Sequence, residues 1–420
     1  MFSFKTYVVG GAVRDTLLGL PVKDKDYVVV GATPEQMRQA GFTPVGKDFP
    51  VFLHPQTHEE YALARTERKT APGYAGFSFH ASPEVTLEED LLRRDLTINA
   101  IAQESDGKLV DPYGGQQDIE ARIFRHISPA FAEDPVRILR IARFSARFSD
   151  FSIAPETLAL MQRMVSSGEV DALVPERVWQ EVSRGLMEAR PSRMFEVLRA
   201  CGALARLMPE IDELSGALPS GADHPQRDAF AHAMRVIDVA ASEHTALPVR
   251  FAALVHDLDK NATPAIDRPL LGPAEPGSDE LADQLCRRLK LPNEVRDLAL
   301  LAAREHGNVR RAMEMNATTV VSLLERCDAF RRSARFADLL KVSECDQRGR
   351  TAAAERPFPQ TAYCLAALAA AQQINAGAIA ADVTTQNPER PAERIAAAIH
   401  AARVEAVRTA LGLSGSSNTE

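Results

Sequence analysis

The sequence predicts an α+β protein in which a mixed sheet-and-helix unit precedes a long all-helical remainder. Two patterns carry that expectation. From Tyr7 to about Arg125 short apolar runs alternate with turn residues, whereas from about Phe131 apolar residues recur at three and four and turn signals become rare. The length of 420 residues, with 45% hydrophobic and 25% charged side chains, suffices for more than one core and excludes a disordered or fibrous chain.

The elements follow in order. Tyr7–Val9 reads as a strand, Ala12–Leu18 as a short helix, Tyr27–Val30 as a second strand and Glu60–Arg65 as a further one. In the helical part Pro175 and Pro191 suit helix starts or joints, because proline lacks the amide that a helix interior needs. The cluster LPSGADHP at Leu218–Pro225 reads as a linker, and Pro264–Ser278 as a long loop. An Ala-rich stretch, Ala366–Ala381, is followed by a closing amphipathic helix over Pro391–Leu411 and a tail, GLSGSSNTE, expected to fray.

The chemistry starts at GGAVRDTLLG. Gly10 and Gly11 fall where a strand turns into a helix, so the backbone can approach a phosphate closely, and Arg14 lies in that helix's first turn. Asp24 and Asp26 in KDKDY enter the next strand two residues apart. Residues i and i+2 of a strand share a face, so both carboxylates are expected at one metal site. Paired hard oxygens suit Mg²⁺, which completes its shell with water and phosphate. Taken singly such features are commonplace, since a D-x-D or a Gly pair is usually a turn.

They gain meaning together. GGAVRDTLLGLPVKDKDYVVVG, RRDLTINA at Arg93–Ala100, DPYGGQQD at Asp111–Asp118, EDPVRILRIARF at Glu133–Phe144 and ERVWQEVSRG at Glu176–Gly185 resemble, in order and spacing, the class II CCA-adding tRNA nucleotidyltransferases. The likeness is to the multifunctional bacterial form with a carboxy-terminal HD domain, and it spans nearly the whole chain. It implies a polymerase-beta-like nucleotidyltransferase head over 1–125, a helical neck and body over 126–222, a helical HD-like domain over 228–350 and a helical tail over 351–420. It further implies template-independent addition of C, C and A to tRNA 3′ ends from CTP and ATP.

By the same resemblance Asp24 and Asp26 are the catalytic, Mg²⁺-binding residues, and Gly11, Arg14, Arg94, Asp134, Arg137, Arg140 and Arg143 bind nucleotide. Two-metal logic explains the carboxylates: one ion activates the primer hydroxyl, and another neutralises charge on the departing pyrophosphate. Arg14 and Arg94 are expected on triphosphate oxygens, which match the paired donors of a guanidinium. Asp95 and Asn99, four apart, are expected to share a helical face. In EDPVRILRIARF, Asp134, Arg137, Arg140 and Arg143 step by three, so the stripe turns about 60° per step around a helix. The resemblance makes Asp134 and Arg137 an amino-acid template for the edges of CTP and ATP, with Arg140 and Arg143 on phosphate or in support. Trp179 is expected to anchor packing, and Glu181 and Arg184 to brace the template helix. Glu59 and Glu60 are candidates for a further metal-site carboxylate.

The alternatives come from the same residues. Bacterial poly(A) polymerases share this head, but carry two adjacent basic residues before an aromatic one where this chain has VGKDFPVF, with Asp48 after Lys47. His232, and His256 with Asp257 in FAALVHDLDK, look like the first parts of an HD phosphohydrolase site, in which a His-Asp pair holds metal that activates water. In the multifunctional enzymes that domain removes 2′,3′-cyclic phosphates and 2′-phosphates. Here Asp259 stands where the motif has glycine, DRPLLGPAEPG contains no histidine, and Gly307 follows His306 where a second His-Asp pair would put its aspartate. Asp346 is a distal candidate. A degenerate site is therefore expected, a helical scaffold binding a second divalent metal such as Ni²⁺ weakly or not at all. A third class, a noncatalytic tRNA-binding module, has no use for the paired carboxylates Asp24 and Asp26.

Composition bounds the rest. The net charge of −8 excludes a protein coated in basic charge, yet Ala121–Arg206 contains no lysine and draws all its permanent positive charge from arginine. A limited groove for tRNA across head and neck follows. The five cysteines are scattered, odd in number and free of C-x-x-C pairs, so buried thiols are expected. The chain reads as cytoplasmic, without a membrane segment, and as a monomer or weak homodimer.

Overall fold

A computed structural model describes residues 4–22, 24–45, 51–69, 77–215, 229–259, 277–350, 357–386 and 391–413. VGKDFPVF lies largely outside these residues, as do the proposed linker, most of the Pro264–Ser278 loop and most of the tail. The described chain is α+β, as predicted, and divides into two compact units. One holds 1–182 with 193–207, and the other 183–192 with 208–420.

The first unit begins β1 (Lys5–Val9), α1 (Gly11–Leu17), β2 (Asp26–Val30), α2 (Pro34–Gln39), β3 (Thr43–Val45), β4 (Val51–Leu53) and β5 (Glu60–Leu63). After the hairpin β6 (Arg65–Lys69) and β7 (Phe77–Ala81) come α3 (Leu87–Leu92), a 3-10 turn at Thr97–Asn99, β8 (Ala102–Gln103), β9 (Leu109–Val110) and α4 (Gly115–Ala121). Seven strands form one sheet in the order β3-β4-β5-β2-β1-β8-β9. β2 and β5 run parallel and the other neighbours antiparallel. Alternation along β2 sends Val28 into one core with Tyr7, Val9 and Leu91, and Val29 into another with Met37, Phe52 and Leu63.

Register places the loops. Val9 pairs with Asp26, so the turn after β1 opens beside that aspartate. Gly10 has φ +70, and a Cβ there would stand 3.0 Å from Arg94 Nη1, so glycine serves both the turn and the close approach. The DPYGGQQD motif has a similar explanation. Asp111 accepts from the amides of Gly115 and Gln116 at 2.7 and 2.8 Å and so caps α4. Gly114 has φ +74. At Gly115 an added Cβ would meet Thr97 O at 2.3 Å and Ile101 Cγ1 at 2.7 Å.

The short pair β10 (Ile123–Phe124) and β11 (Ser152–Ile153) brackets α5 (Val136–Arg147), and α6 (Pro155–Ser166), α7 (Pro175–Leu186), α8 (Ser192–Ala200) and α9 (Ala203–Leu207) follow. The boundary between units falls within α7, so the head and most of the predicted neck form one body. The cause is a chain of polar contacts that ties α5 to the head. Arg147 Nη2 donates to Asp15 Oδ2 at 2.8 Å, and Arg14 donates from Nε and Nη2 to Asp15 Oδ1 at 2.9 and 2.8 Å. Arg14 Nη1 donates to Asn99 Oδ1 at 2.6 Å, and Asn99 Nδ2 to Asp95 Oδ1 at 2.9 Å. Arg140 Nε then closes on Asp95 Oδ2 at 2.8 Å. Asp95 and Asn99 thus meet as expected, but across a bend and a 3-10 turn and not on one α-helical face.

The second unit is helical: α10 (Pro209–Asp212), α11 (Ala229–Ser242), α12 (Leu247–Val255), α13 (Ser278–Arg288), α14 (Asn293–Arg310), α15 (Ala317–Arg326), α16 (Ser333–Gly349), α17 (Gln360–Gln372), α18 (Ala376–Gln386) and α19 (Pro391–Leu411). α12, α14 and α16 pack together around Phe251, Leu301 and Leu340. All five cysteines are buried, and burial pushes their thiols up, to about 11 for Cys201 and about 12 for the others. Among the described residues no single helix is long and apolar enough to cross a membrane.

Two outcomes test this account. Gly115→Ala should destabilise the head by at least the ~1–3 kcal/mol of an overpacked core, because one of the clashing atoms is backbone; an unchanged denaturation midpoint would contradict the close approach. Asp95→Asn should cost less than the ~3–5 kcal/mol of a broken fully buried pair, because Arg140 is partly exposed. Burial opposes ionisation of Asp95, but Arg140 and Asn99 outweigh it and hold the carboxyl well below the usual range. Its stabilisation is therefore complete above the unfolded value near ~4 and is lost as pH falls through the lower folded value. The gap between wild type and Asp95→Asn should narrow in acid, and a gap independent of pH would count against the ion pair.

Candidate active site

One cavity of about 620 Å³ in the first unit gathers most of the predicted residues. Its lining takes Gly11 and Arg14 from α1, Asp26 from β2, Arg94 from the turn after α3, Asp134 just before α5, and Arg137, Arg140 and Arg143 from α5. The volume lies inside the ~300–1,000 Å³ usual for a small-molecule site. Asp24 is exposed and does not line the cavity. It precedes β2, whose ladder starts at Asp26, so strand alternation does not govern where Asp24 points.

Nine arginines line this space among the described residues, against four acidic side chains. Three of those acids are committed. Asp95 pairs with Arg140 at 2.7 Å, Glu181 with Arg143 at 2.6 Å, and Asp134 with Arg177 at 3.0 Å. Asp26, exposed at the cavity edge, has no hydrogen bond or ion pair among the described residues. Glu60 stands beside it in the parallel register of β2 and β5. A free carboxylate in an arginine-rich cavity, with a second oxygen donor next to it, fits a hard divalent cation. Glu59 is turned elsewhere, accepting from Thr57 Oγ1 at 2.8 Å and Tyr27 Oη at 3.4 Å.

The arginines differ in freedom. Arg14 is buried and packs 5.2 and 5.0 Å from the ring centres of Phe144 and Phe148. Burial lowers its affinity for the proton and Asp15 partly restores it. With Asp15 and Asn99 also engaging it, much of its guanidinium holds structure together. Arg94 pairs with Asp90 at 3.2 Å, and Arg93 with the same carboxylate at 3.0 Å. Arg137 donates from Nη2 to Arg93 O at 2.6 Å and from Nη1 to Ala130 O at 3.1 Å. The template pair is thus held in place from both sides. Arg177 grips both oxygens of Asp134, at 3.3 and 3.0 Å, and the Val136 amide donates to Asp134 Oδ1 at 3.1 Å.

Several lining residues escaped sequence reading. Arg147 follows Arg143 by one helical turn and could have been found by extending the stripe along α5. Arg177 and Gln180 share the face of α7 that carries Glu181, while Arg65 opens β6 and Arg93 follows α3. Glu181 braces Arg143 as expected, and Trp179, expected to anchor packing, is not among the lining residues.

The second unit gathers the residues of the HD-type motif. His232 on α11, His256 and Asp257 after α12, and Asp346 on α16 bring ligand atoms within 4.8 Å of one another. His232 Nε2 lies 2.8 Å from Asp346 Oδ1, and His256 Nε2 lies 3.0 Å from Asp257 Oδ2. The substituted positions stand outside this quartet: Asp259 accepts from Ser278 Oγ at 2.6 Å, and Gly307 makes no part of the cluster. His306, beside it, approaches Asp257 Oδ1 at 3.2 Å. All four were candidates from sequence, and the fold brings them together although Asp346 lies 114 residues after His232.

The quartet fits a divalent metal. His256 Nδ1 sits 2.9 Å from Ala253 O, which orients the ring as a backbone carbonyl orients many metal-bound imidazoles. Its Nε2 is buried and has no hydrogen bond of acceptable geometry. Burial disfavours the charged ring, but Asp257 and Asp346 prevail and raise its proton affinity to about 10. Two enclosed carboxylates thus call for positive charge.

The comparisons with known proteins agree with this geometry. Residues 6–125 match the family described as the poly A polymerase head domain, and 150–214 the probable RNA and SrmB-binding site of polymerase A. The multifunctional CCA protein of Janthinobacterium sp. (strain Marseille) is 65% identical over 97% of this chain and 98% of its own length. That of Herminiimonas arsenicoxydans is 62% identical over 97% and 98%. The CCA-adding enzyme of Bacillus stearothermophilus, solved with CTP, aligns with a TM-score of 0.60 at 24% identity, over 97% of this chain and 89% of its own. That of Thermotoga maritima, solved with tRNA, gives 0.61 at 18% identity over 98% and 88%, and these two likenesses speak for the fold. At such identity over nearly full length, the chain belongs to the multifunctional CCA protein family.

Proposed function

We propose that this chain adds C, C and A to the 3′ end of tRNA, drawing on CTP and ATP, by template-independent nucleotidyl transfer. The observation that carries this reading is the convergence of Asp26, the Arg94 turn and the Asp134–Arg137 pair on one cavity. Asp24 and Asp26 would hold Mg²⁺, which when bound supplies activation of the primer hydroxyl and neutralisation of the departing pyrophosphate. The remaining work falls to the chain's own groups. Arg94, Arg140 and Arg143 offer paired donors to triphosphate oxygens, with Gly11 leaving room for them. Asp134 accepts and Arg137 donates toward the base edge, a pattern that suits the amino and ring-nitrogen groups of cytosine and adenine and leaves uracil and guanine poorly paired. Arginines of the neck, in a segment without lysine, would take the tRNA backbone, and we take the chain to work in the cytoplasm as a monomer or weak homodimer.

The test is incubation with tRNA lacking its CCA end and each triphosphate separately and together. A three-residue extension that then stops is expected, whereas a long A tract would favour the poly(A) reading. Asp26→Ala should abolish CMP and AMP incorporation while tRNA binding survives. Arg137→Ala should scramble the choice among the four triphosphates more than it weakens their binding, and intact selectivity would exclude its base-reading role.

A second reading rests on the quartet of His232, His256, Asp257 and Asp346: a metal-dependent phosphohydrolase acting on 2′,3′-cyclic phosphates or 2′-phosphates. The gathering of all four donors supports this reading over a scaffold alone. Turnover of a nucleoside 2′,3′-cyclic phosphate with added Ni²⁺ or Mg²⁺, abolished in His256→Ala and by a chelator, is the expected result. Absence of turnover with any divalent metal would return the unit to a scaffold.

A further inference from the structure

The quartet leaves one charge unexplained. Two neutral imidazoles and two carboxylates carry two negative charges, which a single divalent cation offsets. A phosphate ester arriving there brings further negative charge, and a site made to hold it needs another cation within reach. Arg350, the residue that follows α16, occupies that place. Its Nη2 lies 3.0 and 3.2 Å from the two oxygens of Asp346, one turn back on the same helix.

The geometry suits a ligand better than a simple brace. Asp346 is fully buried, while the Arg350 side chain keeps 36% of its surface exposed, so the guanidinium reaches from the metal ligand out toward solvent. Its Nε is buried and finds no hydrogen-bond partner among the described residues. A guanidinium carries donors on more than one edge, so one that pairs with Asp346 through Nη2 keeps others for the oxygens of a phosphate. The cluster itself is graded in the same sense: His256 is sealed, whereas His232 and His306 keep 13% and 14% of their side chains exposed. The open side therefore has Arg350 at the Asp346 end and His306 at the Asp257 end.

The arginine is also held where it stands. Arg235 Nε donates to Gly349 O at 3.0 Å, and a Cβ at Gly349 would meet Val236 Cγ2 at 2.6 Å. Both contacts come from α11, one turn from His232, so the helix that supplies a metal ligand also fixes the backbone that carries Arg350. A site arranged in advance loses less on binding.

We propose that Arg350 is the phosphate-binding residue of the second metal centre, taking oxygens of a phosphate ester whose phosphorus lies at the metal. This rests on the reading of the quartet as a divalent-metal phosphohydrolase site. A rival role exists, since an arginine at a helix end favours the C-terminal dipole and pairs with a carboxylate four residues earlier. That role alone predicts lost stability on substitution and no change in phosphate binding.

The experiment is calorimetric titration of the full chain, first with Ni²⁺ or Mn²⁺ and then, once loaded, with inorganic phosphate. Wild type should bind one metal and then phosphate. In Arg350→Gln phosphate affinity should fall at least tenfold while metal affinity is kept or rises, because a positive neighbour has been removed. Arg350→Lys, which keeps the charge and loses the fork, should fall between the two, and thermal unfolding of each variant shows that it is folded. A loaded Arg350→Gln protein that binds phosphate as wild type does would overturn the proposal, as would a loaded wild type that binds none. A wild type that takes up neither metal would instead remove the phosphohydrolase reading, and this inference with it.

Discussion

The carboxylate of Asp95 is the point on which the first unit turns. It is nearly buried, accepts from Asn99 on one oxygen and from Arg140 on the other, and through Asn99 reaches Arg14, Asp15 and Arg147. The head alone would present the ends of two central strands, with a glycine turn and the exposed Asp26. Fastened through this chain of contacts, α5 stands across that turn and adds its arginines to the same space. Opposite charges alternate along the chain, so no arginine in it is buried without a partner, and the arrangement tolerates a charge density that water would otherwise have to screen.

The cavity that results separates two kinds of arginine. Arg14 and Arg177 are largely committed to carboxylates or aromatic rings and give the site its shape. Arg94, Arg140 and Arg143 also have acidic partners, yet line the space where a triphosphate would lie. Pairing with a carboxylate fixes a guanidinium before the nucleotide arrives and leaves donors unused. Among these groups Asp26 stands apart as the lining carboxylate without a cation, and a metal would supply the missing charge. The quartet of the second unit follows the same logic with softer donors around the buried His256 Nε2.

Much of this was legible without coordinates. The strand, glycine turn and short helix around Gly10–Gly11 were read within a residue or two, because turn chemistry and period are local properties. The Pro391–Leu411 helix was likewise placed to its observed ends. Strand alternation was extended to Asp24, two residues before the ladder begins at Asp26, and Asp95 and Asn99 were expected on an α-helical face where a 3-10 turn stands. Arg177 and Arg147 went unnoticed because an arginine on a helix is usually a solvated side chain, and only a carboxylate or a cavity facing it says otherwise. The HD-type site was judged by its motif letters, and the letters that differ, Asp259 and Gly307, stand outside the quartet that the fold gathers.

By itself the sequence determined the α+β class, the order of the motifs and the chemical type of each site, since those follow from side-chain identity, periodicity and spacing along the chain. Tertiary structure alone decided which charges meet. Whether Arg177 holds Asp134, whether Glu60 stands beside Asp26, and whether Asp346 completes a set begun at His232 depend on helix packing and strand register between residues far apart in the chain. Electrostatic interactions fall off over a few ångströms and strengthen with burial. Their outcome is therefore a property of the folded arrangement and not of the order of residues.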